Sequence, residues 1–168
     1  MRKMEQRKNL LVTGPPGCGK TTLIRRIVRD LGDLPVAGLY TEEIRERGER
    51  VGFSLVSLGG RRGVLSHVRV KGPHRVGRYG VDIAGFEAFL DGLRAGDPGL
   101  RLFVIDEIGK MECCSRQFIL RMSELVDSKK TVVATIGRDP GGFIAAVRRR
   151  PDAELWEVTR SSRDALVE

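Results

Sequence analysis

Apolar positions along this chain alternate between two rhythms. The run Leu10-Leu11-Val12 has the short, continuous character of a buried strand, predicted over residues 9–13. Leu23, Ile24, Ile27, Val28 and Leu31 then recur at three- and four-residue spacing, which predicts a helix over 19–31 closed by Gly32. A second strand is expected over 36–41. Period-two runs at 50–56 and 63–68 flank Gly59-Gly60 and read as a hairpin, with a further extended piece over 75–81. Residues 83–93 read as a helix, Asp97-Pro98-Gly99 as a turn, and 100–105 as an apolar strand ending in Asp106-Glu107. Phe118, Ile119, Met122 and Leu125 share one face of a helix over 115–126. A buried strand over 131–136, a helix over 143–149, a short strand over 155–158 and a helical tail from Ser161 complete the expectation.

Strands that alternate with helices in this way imply an α/β fold. Its mainly parallel sheet is flanked by helices, carries a β-hairpin insert, and binds ligands at the carboxyl ends of its strands. At 168 residues the chain fits a single domain over 1–168. The 31% charged and 40% hydrophobic composition is that of a soluble globular protein, and no apolar run approaches membrane-spanning length. The basic start, Met1 to Lys8, runs directly into the first strand and is not a secretory leader, so cytoplasmic residence is expected. Cys113 and Cys114 are neighbours and therefore poor disulfide partners. Neither they nor Cys18 stand at zinc-ligand spacing, and all three read as reduced thiols. The net charge of +8 comes from dispersed arginines, with one short run at Arg148-Arg149-Arg150 and no interleaved aromatics. A solvated basic face accounts for it, and nucleic-acid binding is not favoured.

The chemistry concentrates in Gly14-Pro15-Pro16-Gly17-Cys18-Gly19-Lys20-Thr21, with Thr22 following. This is G-x-x-x-x-G-K-[ST] between a strand and a helix, the setting a phosphate-cradling loop requires. Glycines let the backbone wrap around phosphate oxygens with successive N–H groups pointing inward, and the helix start adds its positive dipole end. Lys20 supplies a mobile charge for the β- and γ-phosphates, and the Thr21 hydroxyl a ligand for Mg²⁺. The expected ligand is a nucleoside triphosphate. Asp106, at the end of an apolar strand, is expected to hold Mg²⁺ opposite Thr21, and Glu107 to orient or deprotonate an attacking water. A strand between the loop strand and this acidic one suits P-loop ATPases with a catalytic glutamate in the core domain.

Other residues are weighed against plainer roles. Arg78, in a glycine-flanked segment, is singled out as the arginine for γ-phosphate charge, ahead of Arg75, Arg148 and Arg149. Lys110 either reaches the phosphates or sits in solvent. Glu42 and Glu43 stand at a strand's carboxyl end, where they position water or metal or else pair with Arg45 or Arg47. Tyr79 and Phe53 read as packing residues, and His67 and His74 receive no role.

Several segments resemble the small nucleoside-triphosphatase family known from thermophiles, with the human cancer-related nucleoside-triphosphatase as a relative. They are residues 14–23, 38–45, 50–53, 75–81, the run Ile105-Asp106-Glu107-Ile108-Gly109-Lys110-Met111-Glu112, and Ala134-Thr135-Ile136. The resemblance implies a monomeric, RecA-like P-loop NTPase that slowly hydrolyses ATP, GTP and other triphosphates with Mg²⁺. Where the family usually carries Asn-Arg near its C-terminus, this chain has Ser162-Arg163, which bears on base preference. Two other readings accompany hydrolysis: a small kinase for a nucleotide or metabolite, and a triphosphate-dependent switch that binds nucleic acid.

Overall fold

The structure, a computed structural model, describes residues 7–162. Its first strand, β1 (Asn9–Thr13), and first helix, α1 (Lys20–Asp30), lie where the apolar pattern places them, and Gly32 beyond the helix adopts φ 57°. The chain continues through β2 (Val36–Glu46), β3 (Glu49–Ser57), β4 (Arg62–His67), β5 (Arg75–Val76), β6 (Tyr79–Val81) and α2 (Ile83–Asp91). It then forms β7 (Leu102–Ile108), a 3₁₀ turn (Glu112–Cys114), α3 (Arg116–Asp127), β8 (Thr131–Ile136), α4 (Gly142–Arg148) and β9 (Ala153–Glu157). The N-terminal residues 1–6 and the tail 163–168, with Arg163 and most of the expected final helix, lie outside the described residues.

All nine strands join one sheet in the order β5-β6-β4-β3-β2-β7-β8-β1-β9. The half from β2 to β9 is parallel, and the half from β3 to β5 is antiparallel. Strands covered on both faces need apolar side chains on both, and successive residues serve opposite layers. Val12, Val104 and Val133 pack with Leu23 and Ile24 of α1, whereas Leu11, Phe103, Ile105 and Ala134 pack with Phe86, Phe118 and Ile144 on the other side. Each fully buried Leu, Ile or Phe contributes about 1.5–3 kcal/mol, so the helices are clamped to the sheet chiefly by these residues. Strand β8 lies between β1 and β7, as expected for the core-glutamate arrangement.

Two boundaries differ most from the sequence reading, beside smaller shifts: the piece over 75–81 splits into β5 and β6, α2 ends at Asp91, and the last strand spans Ala153–Glu157. Strand β2 extends beyond 41 to Glu46 because it pairs with β3 along its whole outer length, closing at Arg47 (φ 49°) and Gly48 (φ 83°). A two-residue turn with both φ positive matches the twist of a hairpin, but arginine in its first position hides the signal. Strand β7 continues through Asp106 and Glu107 to Ile108, with a register shift against β8 between Ile105 and Ile108. Both carboxylates therefore project from a sheet strand, not from a loop. Among the described residues no helix is long and apolar enough to cross a membrane.

Candidate active site

Three parallel strands end close together: β1 at Thr13, β7 at Ile108 just past Asp106-Glu107, and β8 at Ile136, with Val12 opposite Thr135 in the register. The loop after β1 starts at Gly14, whose φ of 155° and close approach to Val158 exclude a side chain, because a Cβ there would lie 2.3 Å from the Val158 carbonyl oxygen. Gly19 caps α1 in the left-handed region at φ 104°. No side chain caps this helix and its first turn holds no acid, so its N–H groups and positive dipole end remain available to an anion. Pro15, Pro16 and Gly17 are exposed at the loop crest, as is Thr22, whereas Cys18 is buried beneath it and Lys20 and Thr21 are half-buried. The Lys20 ammonium folds back over the loop, donating to the carbonyls of Gly14 at 2.9 Å and Pro15 at 3.0 Å. Those carbonyls hold the charge at the mouth of the cradle.

Asp106 is buried, and its two oxygens have different fates. Oδ1 accepts a 2.6 Å hydrogen bond from the Thr135 hydroxyl; Oδ2 is buried without a partner, as is the Thr13 hydroxyl at the end of β1. A buried carboxylate oxygen left unpaired is costly, and a hard cation with oxygen ligands offsets that cost. The residues present therefore fit Mg²⁺. Glu107, half-buried, has its carboxyl pushed above the ordinary value first by burial and then by the Asp106 charge, while the Lys20 ammonium pulls it back. The loop lysine thus acts electrostatically on the acidic strand end.

A third carboxyl joins them. Glu112, in the 3₁₀ turn, is fully buried, and its carboxyl is pushed up to about 8 by desolvation and then by the neighbouring Glu107. The two acids flank Gly109: a Cβ there would lie 2.9 Å from Glu112 Oε2 and 3.2 Å from the Glu107 carboxyl carbon. Beyond Glu107 opens a cavity of about 310 Å³ that none of the phosphate-loop residues lines.

The arrangement brings together Lys20, Asp106 and Glu107. It does not bring Arg78 to the loop. That side chain lies on the insert, donating to the Arg50 carbonyl and stacking 5.4 Å from the Tyr79 ring centroid, with five strands between β6 and β1. Lys110 pairs with Asp139 at 3.2 Å. Glu42 binds Arg25 and Arg62, and Glu43 binds Arg45 and Arg50, so both act as ion-pair residues. Phe53 and Tyr79 pack edge to face at 5.5 Å, and all three cysteines are free thiols. Sequence reasoning overlooked Thr13, Thr135 and Glu112 as site residues. Only the segments that resemble the nucleoside-triphosphatase family, which include Glu112 and Thr135, hinted at a role, since nothing in a pattern of apolar spacing marks a buried polar residue.

With this geometry in place, a family model described as NTPase matches residues 9–168. The chain is 39% identical over 161 residues to the nucleoside-triphosphatase THEP1 of Thermotoga sp. (strain RQ2), covering 94% of this chain and 90% of that one. It is 40% identical over 177 aligned positions to the human cancer-related nucleoside-triphosphatase, covering 95% and 93%. The crystal structure of THEP1 from the hyperthermophile Aquifex aeolicus superposes with a TM-score of 0.84 at 33% identity, covering 95% of this chain and 94% of that one.

Proposed function

Since the chain belongs to this NTPase family, we propose that it hydrolyses nucleoside triphosphates, ATP and GTP among them, to the diphosphate and phosphate at the junction of the phosphate loop and Asp106-Glu107. The observation that carries this reading is the unpaired, buried Oδ2 of Asp106 beside a Glu107 that lies within the field of Lys20. Backbone amides of residues 14–21 and the Lys20 ammonium neutralise phosphate charge, which lowers the cost of crowding further negative charge at the γ-phosphoryl group. Thr21 and Asp106 would hold Mg²⁺, which when bound supplies charge neutralisation to the phosphate oxygens. Glu107 accepts the proton of the attacking water. Burial raises its proton affinity above that of a free carboxylate, which suits a base that must take a proton near neutral pH. Arg78 receives no role because its guanidinium is engaged on the insert. We read the chain as one such domain acting as a monomer.

Phosphate release measured across the common nucleoside triphosphates, with and without magnesium, tests the reading. Release that depends on magnesium and occurs with more than one base is the expected result. No release from any triphosphate would overturn it.

A further inference from the structure

The cavity beyond Glu107 is larger than hydrolysis needs. A single water requires roughly 10–15 Å³ of such space, against about 310 Å³ here. Its walls are mostly apolar, supplied by Phe53, Leu65, Val76 and Ile144, and apolar walls do not hold ordered water well. Its polar lining comprises the carboxyls of Glu107 and Glu112, which flank Gly109, together with Thr41, Lys110, Arg138 and Asp139. A half-open cleft with mostly apolar walls and a few polar groups is the setting of a small-molecule site.

We propose that the cavity is an acceptor site, and that the protein also transfers the γ-phosphoryl group to a small, neutral, amphipathic alcohol whose hydroxyl lies at the Glu107–Glu112 end. This rests on the hydrolytic reading above, because the same Glu107 serves both nucleophiles. The choice of a neutral acceptor follows from the charges at the rim. Among the described residues that line the cavity, the two cations already have acidic partners, Asp139 for Lys110 and Glu157 for Arg138, and most of the exposed wall is apolar. The apolar walls take the alcohol's carbon chain. The Glu112 carboxyl, which keeps its proton at neutral pH, donates a hydrogen bond to the hydroxyl oxygen without adding a second negative charge.

The step balances as hydrolysis does. The acceptor O–H proton passes to the Glu107 carboxylate while the acceptor oxygen bonds to the γ-phosphorus. The bond from that phosphorus to the β,γ-bridging oxygen breaks, and the oxygen leaves with the electron pair on the nucleoside diphosphate. The products are a phosphate monoester and the diphosphate, and Glu107 returns its proton to solvent.

The experiment incubates the whole protein with γ-labelled triphosphate and magnesium, with 1-butanol or methanol at equal concentration, and separates free phosphate from the phosphate monoesters. We expect butyl phosphate in excess of the alcohol-to-water mole ratio, and roughly fiftyfold more of it per turnover than methyl phosphate, because three further methylenes enter apolar surroundings. Val76→Phe, which narrows the cavity from its β5 wall, should remove most of the butyl phosphate while phosphate release continues. Normal phosphate release with no monoester would overturn the acceptor site and leave hydrolysis standing. Methyl and butyl phosphate formed equally, at the mole ratio, would also overturn it, since the nucleophile would then arrive from open solvent. Absence of any release would overturn both readings.

Discussion

The two halves of the sheet use the same residue types to opposite ends. In the parallel half, Asp106, Glu107 and Glu112 are removed from water, and the carboxyls of Glu107 and Glu112 are pushed upward chiefly by that removal. Where the outer part of β2 pairs antiparallel with β3, Glu42 and Glu43 remain partly accessible, and arginine hydrogen bonds, from Arg62 and Arg50 foremost, hold their carboxyls below the usual value. Exposed pairs of this kind each contribute about 0–1 kcal/mol. The insert is therefore dressed with many weak, interchangeable contacts, including Arg50 over Phe53 and Tyr79. The core half concentrates a few strong ones. An acid can do chemistry where water has been excluded and its charge is left incompletely matched; an acid ringed by arginines in solvent only fastens strands.

Four substitutions test that contrast, and the largest effect belongs to the base. Glu107→Gln should lower the turnover number by about 10²–10⁴-fold while triphosphate affinity stays near the wild-type value. A steady-state rate unchanged by the substitution would remove Glu107 from the mechanism. Lys20→Ala comes next: losing charge-assisted hydrogen bonds worth about 1.5–3 kcal/mol each should weaken triphosphate binding by roughly 10–100-fold, as read by equilibrium titration with a non-hydrolysable analogue.

The third concerns stability. The Glu112 carboxyl rises from an unfolded value near 4.5 to about 8 in the folded chain, so between those values the folded state keeps a proton that the unfolded state releases. Stability should accordingly fall as pH rises through that window. Glu112→Gln cannot ionise and should flatten the slope, gaining on the order of 2–4 kcal/mol over wild type at the alkaline end relative to the acid end. Urea denaturation at the two ends measures it, and parallel pH profiles for both proteins would contradict the assignment. The smallest effect lies in the insert. Arg78→Ala should leave turnover within about twofold and stability within about 0.5 kcal/mol, as expected of an exposed surface position; a large fall in turnover would show that Arg78 leaves Tyr79 to reach the phosphates.

Legibility in the sequence follows the same division. The phosphate loop was readable because its function is written in consecutive residues: Gly14, Gly19, Lys20 and Thr21 act through one stretch of backbone, and a contiguous motif needs no tertiary fold to be seen. Strands β1 and β8 were read to their ends because both are apolar runs bounded by polar residues. The Arg47-Gly48 turn was missed because it lacks the Asn-Gly or Asp-Gly pair that announces a hairpin. The Asp106–Thr135 hydrogen bond joins residues 29 positions apart and depends on β8 lying beside β7, which no local pattern specifies.

By itself the amino-acid order determined the alternation of strands and helices, the cradle for phosphate and the presence of an acidic strand end, because each is set by local backbone preference and by which side chains avoid water. Only the tertiary structure decided that Glu112 is buried beside Glu107, that Asp106 keeps one oxygen without a partner, that Arg78 is tied down on the insert, and that an apolar cavity opens behind the base. Burial and electrostatic coupling are properties of neighbours in space, and the sheet order chooses those neighbours.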